Sequence, residues 1–317
     1  MSSSPTVVLG VSRSGTTLLK AMLDAHSQLA IPSESYFLPQ LWDRHGEPPE
    51  RNAFVEDLAR LERLREWGVD PEAVRARLPE RPTFAEAVQS IFQLYAESKD
   101  KPRFGEKTPL YMQHLDVLDR AFPDARYVHI VRDGRDAAVS LLAMTRKPRF
   151  NLSRPRGIGD FAVAWQREVR GARAFGRTHP YHELRYEDLV EQPERHLREV
   201  CAFLDLDYEP GMLEYHRRED PSLYADHPRL AAPPVRDTRS WRREMRPADA
   251  ALFEAIAGDL LVELGYDRAH PRPGRRGRVL AERAAYSTRL ALWSKALPFV
   301  RKSPLWRARQ VYIRRGT

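Results

Sequence analysis

An α/β fold, with a central, mainly parallel sheet flanked by helices, is what the sequence predicts, and three observations predict it. Pro5-Thr-Val-Val-Leu-Gly10 is a short β-branched run, and Thr16 to His26 carries Leu18, Leu19, Met22 and Leu23 at the spacing of one helical face. A loop therefore joins a strand to a helix. Tyr127-Val-His-Ile-Val131 reads as a second, buried strand that runs through Arg132-Asp-Gly-Arg-Asp136 into a helix from about Asp136 to Ala143. Finally, 317 residues with 42% hydrophobic content are enough to bury a full core as one α/β domain with an appendage.

The first loop, Gly10-Val-Ser-Arg-Ser-Gly-Thr-Thr17, has the glycine spacing of the P-loop pattern G-x-x-x-x-G-K-[ST], with Thr16 where the lysine belongs. Backbone N–H groups at a helix start bind anions, and the loop resembles those of the P-loop-NTPase-like three-layer sandwich, which is the expected class. A triphosphate–magnesium chemistry is poorly served, since Arg13 is the loop's only cation. Helical periodicity and start signals over Asn52 to Trp67, Pro71 to Leu78 and Thr83 to Ser98 predict a helical insertion after the first βα unit. Its Phe84, Phe92 and Tyr95 are read as core. Gly105-Glu-Lys-Thr-Pro109 then puts Lys107 in a turn ended by proline. Arg132 and Ser140, eight residues apart after a strand, can converge on one anion, because open α/β sheets bind ligands outside the carboxyl edge. A further helix is expected from about Asp160 to Phe175, preceded by a loop over Asn151 to Arg156.

With these pieces in this order, the chain resembles sulfotransferases that use 3′-phosphoadenosine 5′-phosphosulfate (PAPS), over roughly residues 5 to 267. The resemblance implies that Arg13, Ser14, Gly15, Thr16 and Thr17 hold the 5′-phosphosulfate, and that Arg132 and Ser140 hold the 3′-phosphate. Leu184-Arg-Tyr-Glu-Asp-Leu-Val-Glu-Gln-Pro193 and the helix ending Cys201-Ala-Phe-Leu204 match the family's middle region. Trp241, Arg242 and Arg243 fall where the family carries late cofactor contacts, although the Arg-Lys-Gly triplet of cytosolic members is absent. Sulfuryl transfer moves a group with one negative charge, so the expected cofactor is PAPS with no metal, and Arg13 and Lys107 supply the stabilising charge.

Cytosolic small-molecule members use a histidine in Lys-x-His-x-Pro, which this chain lacks. The protein-tyrosine branch instead places a glutamate shortly after the first helix, and Glu34, 21 residues beyond Arg13, has that spacing. Glu34 is accordingly the expected base, its structural alternative being a helix-start carboxylate before Tyr36-Phe-Leu38. Glu106 is read either as positioning Lys107 or as acting at the acceptor. His26 is read as a helix-end residue whose imidazolium suits the dipole, and His129 as a hydrogen-bonded core residue. The acceptor is a hydroxyl of a peptide tyrosine, sugar, lipid or secondary metabolite. Two rival readings stand beside this one: a small-molecule kinase using ATP and Mg²⁺, and an inactive nucleotide-binding interaction protein.

Charge divides along the chain. Residues 268–317 hold fourteen lysines and arginines against one acid, Glu282, a net of +13 that leaves −5 for residues 1–267 out of the total of +8. The expected organisation is thus a sulfotransferase domain at 1–267 and a basic amphipathic tail at 268–317, with two helices broken near Pro298 and Pro304. The tail either packs on the domain or contacts an anionic membrane surface. A nucleic-acid partner would need a basic face joined to a recognisable module, and none appears. One cysteine, Cys201, excludes an intrachain disulfide, and no apolar run is long enough for a membrane span, so a cytoplasmic, bacterial placement is expected.

Overall fold

Short apolar strands buried on both faces form a parallel sheet when helices cover each side. The computed structural model describes residues 4–144, 155–217, 228–233, 240–270 and 276–302. Residues 151–154 of the expected loop over Asn151 to Arg156, and the tail from residue 303, lie outside the described residues. In chain order the elements are β1 (Thr6–Leu9), α1 (Thr16–Asp24), β2 (Leu29–Ala30), α2 (Leu38–His45), α3 (Arg51–Leu58), α4 (Glu62–Trp67), α5 (Pro71–Arg77), α6 (Phe84–Glu97), β3 (Arg103–Glu106), a 3-10 turn (Pro109–Gln113), α7 (Leu115–Ala121) and β4 (Arg126–Val131). They continue with α8 (Gly134–Met144), α9 (Ile158–Phe175), β5 (Tyr181–Arg185), α10 (Tyr186–Glu191), α11 (Pro193–Phe203), α12 (Trp241–Glu244), α13 (Pro247–Glu263) and α14 (Arg276–Lys302).

By contacts the chain forms two units, one of residues 1–132 and 168–236 and one of residues 133–167 and 237–317. The first holds the sheet, ordered β2-β3-β1-β4-β5 with every pairing parallel among the described residues. Alternation along β4 divides its two faces. Val128 and Ile130 pack with α1, α10 and α11 through Leu19, Leu189 and Leu197, while Tyr127 meets Phe175 edge-on at 4.9 Å on the other side. There Phe92 of α6 contacts Phe104 and Phe122. The three layers expected from the sequence are thus present.

The insertion departs from expectation at one point. The stretch from Asn52 to Trp67 is two helices rather than one, parted near Arg60. Leu58 and Leu64 would lie about a third of a turn apart around one continuous helix, and the break lets both reach the core at 0% and 1% exposure. The α6 start is fixed by a capping box between Thr83 and Glu86. Phe84 and Phe92 are core, as read, and Tyr95 is half-buried beside Trp67.

The second unit contains α8, the start of α9, α12, α13 and α14. Trp165 packs tilted against Phe253, and Arg135 is buried between Asp133 and Glu254. The helix α14 runs through Pro298, against the expected break, without the backbone donor that a proline lacks. Its Tyr286 and Trp293 are buried, Arg289 pairs with Asp160, and Arg283 donates to Gln166 and to the Ile256 carbonyl, so this part of the tail packs on its own unit.

Candidate active site

Four of the parallel strands deliver a predicted residue or its neighbour to their carboxyl ends, where open α/β sheets hold ligands. β1 runs into the loop at Gly10–Gly15. Gly10 has no space for a side chain, since a Cβ there would stand 2.6 Å from Thr16 Cγ2 and 2.8 Å from the Ile130 carbonyl oxygen. Gly15 has φ +92°, and its Cβ would meet the Tyr186 ring at 2.3 Å. Arg13 itself is left-handed at φ 75°. The turn is closed by Ser14 N donating to Val11 O at 3.0 Å. No side chain caps α1 and no acid lies in its first turn, so its leading amides face the loop without an internal partner. Ser14 is 1% exposed and its Oγ has no hydrogen-bond partner.

Lys107 follows β3 and is 4% exposed. Its Nζ donates to Glu34 Oε1 at 2.6 Å and lies 3.5 Å from Thr17 Oγ1. Burial pulls the Lys107 ammonium below its ordinary pKa, and the adjacent Glu34 charge opposes that shift. Glu34 therefore does not serve as a helix-start carboxylate: α2 begins after Phe37, with no side-chain cap. The loop bearing Glu34 is anchored by Ser35, whose N–H donates to Thr108 Oγ1 at 3.0 Å and whose hydroxyl bonds the Tyr111 hydroxyl at 2.7 Å. Glu106, the last residue of β3, is 1% exposed. Burial pushes its carboxyl up to about 7, and the Thr108 and Ser35 hydroxyls lower it only in part, neither lying in hydrogen-bonding geometry.

Arg132 leaves β4 with its guanidinium buried over the Tyr186 ring at 4.5 Å; its Nη1 donates to the Arg13 carbonyl at 3.4 Å, and its Nε has no partner. Among the described residues it has no carboxylate partner. A buried arginine held by a ring and a carbonyl is a cation prepared for an anion. Within the first unit, then, the structure brings together the loop at 13–17, Glu34, Lys107 and Arg132. Ser140 is buried on α8 in the second unit. Trp241 is also in the second unit, its ring within 3.9 Å of the Arg135 guanidinium and 4.6 Å of that of Arg242, with its backbone N–H donating to Asp136 Oδ1 at 2.6 Å; Arg242 and Arg243 are exposed.

The histidines are structural. His129 is fully buried and bonds Tyr181, as read. His26 is fully buried just past the end of α1, its Nε2 2.7 Å from the Asp207 carbonyl and its Nδ1 accepting from Gln28 N at 3.0 Å. Sequence reasoning missed Tyr186 and the hydroxyl pair Ser35 and Tyr111. Tyr186 was within reach, because it stands directly after β5 in the Leu184-Arg-Tyr motif. Lys20, buried on α1 and paired with Asp24 at 3.0 Å, carried no signal, since it lies within an apolar helix.

Comparison with known proteins bears on this arrangement. The chain is 27% identical over 293 residues to protein-tyrosine sulfotransferase 1 of Danio rerio, covering 85% of this chain and 74% of that one. It is 28% identical over 214 residues to protein-tyrosine sulfotransferase A of Caenorhabditis elegans, covering 66% of this chain and 51% of that one. The nodulation protein NoeE of Sinorhizobium fredii is 28% identical over 307 residues, with 87% and 70% covered. Among solved structures, the sulfotransferase domain of the Synechococcus PCC 7002 olefin synthase shares the fold, with a TM-score of 0.53 at 24% identity over 84% of this chain and 96% of that one. The profile of the sulfotransferase family matches residues 5–210, from β1 past α11 and well over half of the 317. That span contains the phosphate-type loop, the Glu34–Lys107 pair and Arg132, and the chain belongs to the sulfotransferase family.

Proposed function

We propose that the protein transfers a sulfuryl group from PAPS to an acceptor hydroxyl by an in-line, metal-independent displacement. The observation that carries this reading is the uncapped start of α1, flanked on one side by the buried Arg132 and on the other by Lys107 paired with Glu34. The residues fit such a donor. Gly10 and Gly15 leave room only for backbone, Ser14 Oγ is an orphaned buried polar atom, and Arg132 is a buried cation without a carboxylate. The donor, when bound, supplies an activated group of one negative charge on a phosphate leaving group.

Each side chain then has a definite task. The α1 amides with Ser14, Thr16 and Thr17 bind the 5′-phosphosulfate, and Arg132 takes the 3′-phosphate. Arg13 and Lys107 stabilise charge on the transferring group and the leaving oxygen. Glu34 accepts the proton of the acceptor O–H as the new bond to sulfur forms. Its contact with Lys107 sets the order of events: an anion entering the loop draws the ammonium toward itself and frees the carboxylate to act as base. The acceptor we infer is a tyrosyl or sugar hydroxyl, and the relatives named as protein-tyrosine sulfotransferases support the first.

Calorimetric titration tests the donor. 3′,5′-adenosine bisphosphate is expected to bind more tightly than ATP–Mg²⁺, and Arg132→Ala is expected to weaken it by about tenfold or more, the scale of one lost charge-assisted contact. Tighter ATP binding overturns the assignment, and unchanged affinity in Arg132→Ala removes that residue from the 3′-phosphate.

A further inference from the structure

Glu106 is a carboxyl that the transfer scheme leaves unused. It ends β3 beside Val7 of β1, is 1% exposed, and neither of its oxygens has a hydrogen-bond partner. Such burial is unfavourable unless a nearby charge compensates it. The groups around it come from several elements. Lys107 follows it on the chain, Glu34 and Ser35 reach it from the loop after β2, Thr108 and Tyr111 lie just beyond, and Lys20 on α1 acts on Lys107. Ser35, Thr108 and Tyr111 are bonded to one another, and the Leu38 N–H donates to the Tyr111 hydroxyl at 3.1 Å, so the wall that presents Glu34 also encloses Glu106.

The Lys107 ammonium is buried, and its carboxylate partner is Glu34 at 2.6 Å. Once the ammonium has moved toward the donor and Glu34 has taken up the acceptor's proton, the counter-charge that the protein supplies is gone. A buried ammonium without one tends to lose its proton, at the moment its charge is needed on the transferring group. We propose that Glu106 is a positioning residue for this pair: its carboxylate keeps the Lys107 ammonium charged from the protein side. The inference rests on the roles given above to Glu34 and Lys107.

Two consequences are measurable. Because burial pushes Glu106 up to about 7, its charge, and with it kcat, should rise with pH through neutrality. Folding stability should move the opposite way. A carboxyl with a raised folded-state pKa contributes stability that is fully present below its ordinary value of 4.5 and is lost as pH rises through about 7.

The experiment compares wild type, Glu106→Gln and Glu106→Asp. Thermal unfolding is followed between about pH 5 and about pH 8, and kcat and KM for PAPS over the same range. In Glu106→Gln the downward slope of stability should flatten, kcat near pH 8 should fall by about tenfold with KM for the donor little changed, and the rise through neutrality should disappear. Glu106→Asp should regain part of the rate. A Gln variant with the wild-type rate and pH profile overturns the proposal, as does one with the wild-type stability slope. If wild type moves no sulfate from PAPS, the functional reading fails and the stability slope alone decides the state of Glu106.

Discussion

The Glu34–Lys107 contact joins two roles that the sequence could only assign separately. A carboxylate 2.6 Å from an ammonium is occupied by that contact, so the ammonium must move before the carboxylate can meet an acceptor hydroxyl. Removing the carboxylate's charge should therefore separate binding from chemistry. Glu34→Gln is expected to bind 3′,5′-adenosine bisphosphate at least as well as wild type while losing about 10² or more in single-turnover transfer, the scale of a lost general base. Near-normal single-turnover rates would move the base elsewhere. At this scale the sequence was legible in placement: Glu34 and Lys107, singled out by type and spacing, meet in the structure, and Arg132 reaches the carbonyl of Arg13. It was silent about Ser35 and Tyr111, whose hydroxyls matter only because the fold sets them side by side across 76 residues.

Among the elements, legibility followed apolar content. β1 and β4 are continuous apolar runs because both faces are buried, and they could be read directly. β2 is two residues long and β3 reads Arg-Phe-Gly-Glu, too short and too polar for periodicity to find. β5, Tyr-His-Glu-Leu-Arg, lies at the sheet edge and is only half-buried. Lys107 was thus recognised from its motif, and the strand that positions it was not. The turn after β4 shows the same limit. Arg132-Asp-Gly-Arg-Asp136 reads as an anion loop, yet Arg135 bonds Asp133 at 2.7 Å and Glu254, 119 residues away, at 2.6 Å. Glu254 in turn accepts the Ala269 and His270 N–H groups. Arg135→Met should destabilise the fold by about 3–5 kcal/mol by stranding two buried carboxylates, as read by chemical denaturation. A loss well under 1 kcal/mol, the scale of an exposed pair, would mean the network is dispensable.

For the whole molecule, the net charge of +8 conceals a chain that is acidic up to residue 267 and strongly basic after it. The described part of that basic segment is a packed helix. Truncation after residue 267 should therefore lower the unfolding midpoint by about 5–10 °C, since it withdraws Tyr286 and Trp293 from their contacts. A truncated chain with an unchanged midpoint would show that α14 adds nothing to stability. Among the described residues no helix is long and apolar enough to cross a membrane. The chain's one thiol, Cys201, is 1% exposed against Met212, and burial pushes it up to about 11. Surface-directed maleimides should therefore find almost nothing to react with in the native protein. That silence makes the protein ready for labelling without a cysteine-free background: single cysteines placed at exposed Lys99 in the first unit and exposed Lys295 in the second would carry a spin or dye pair and report the distance between the units as a donor binds.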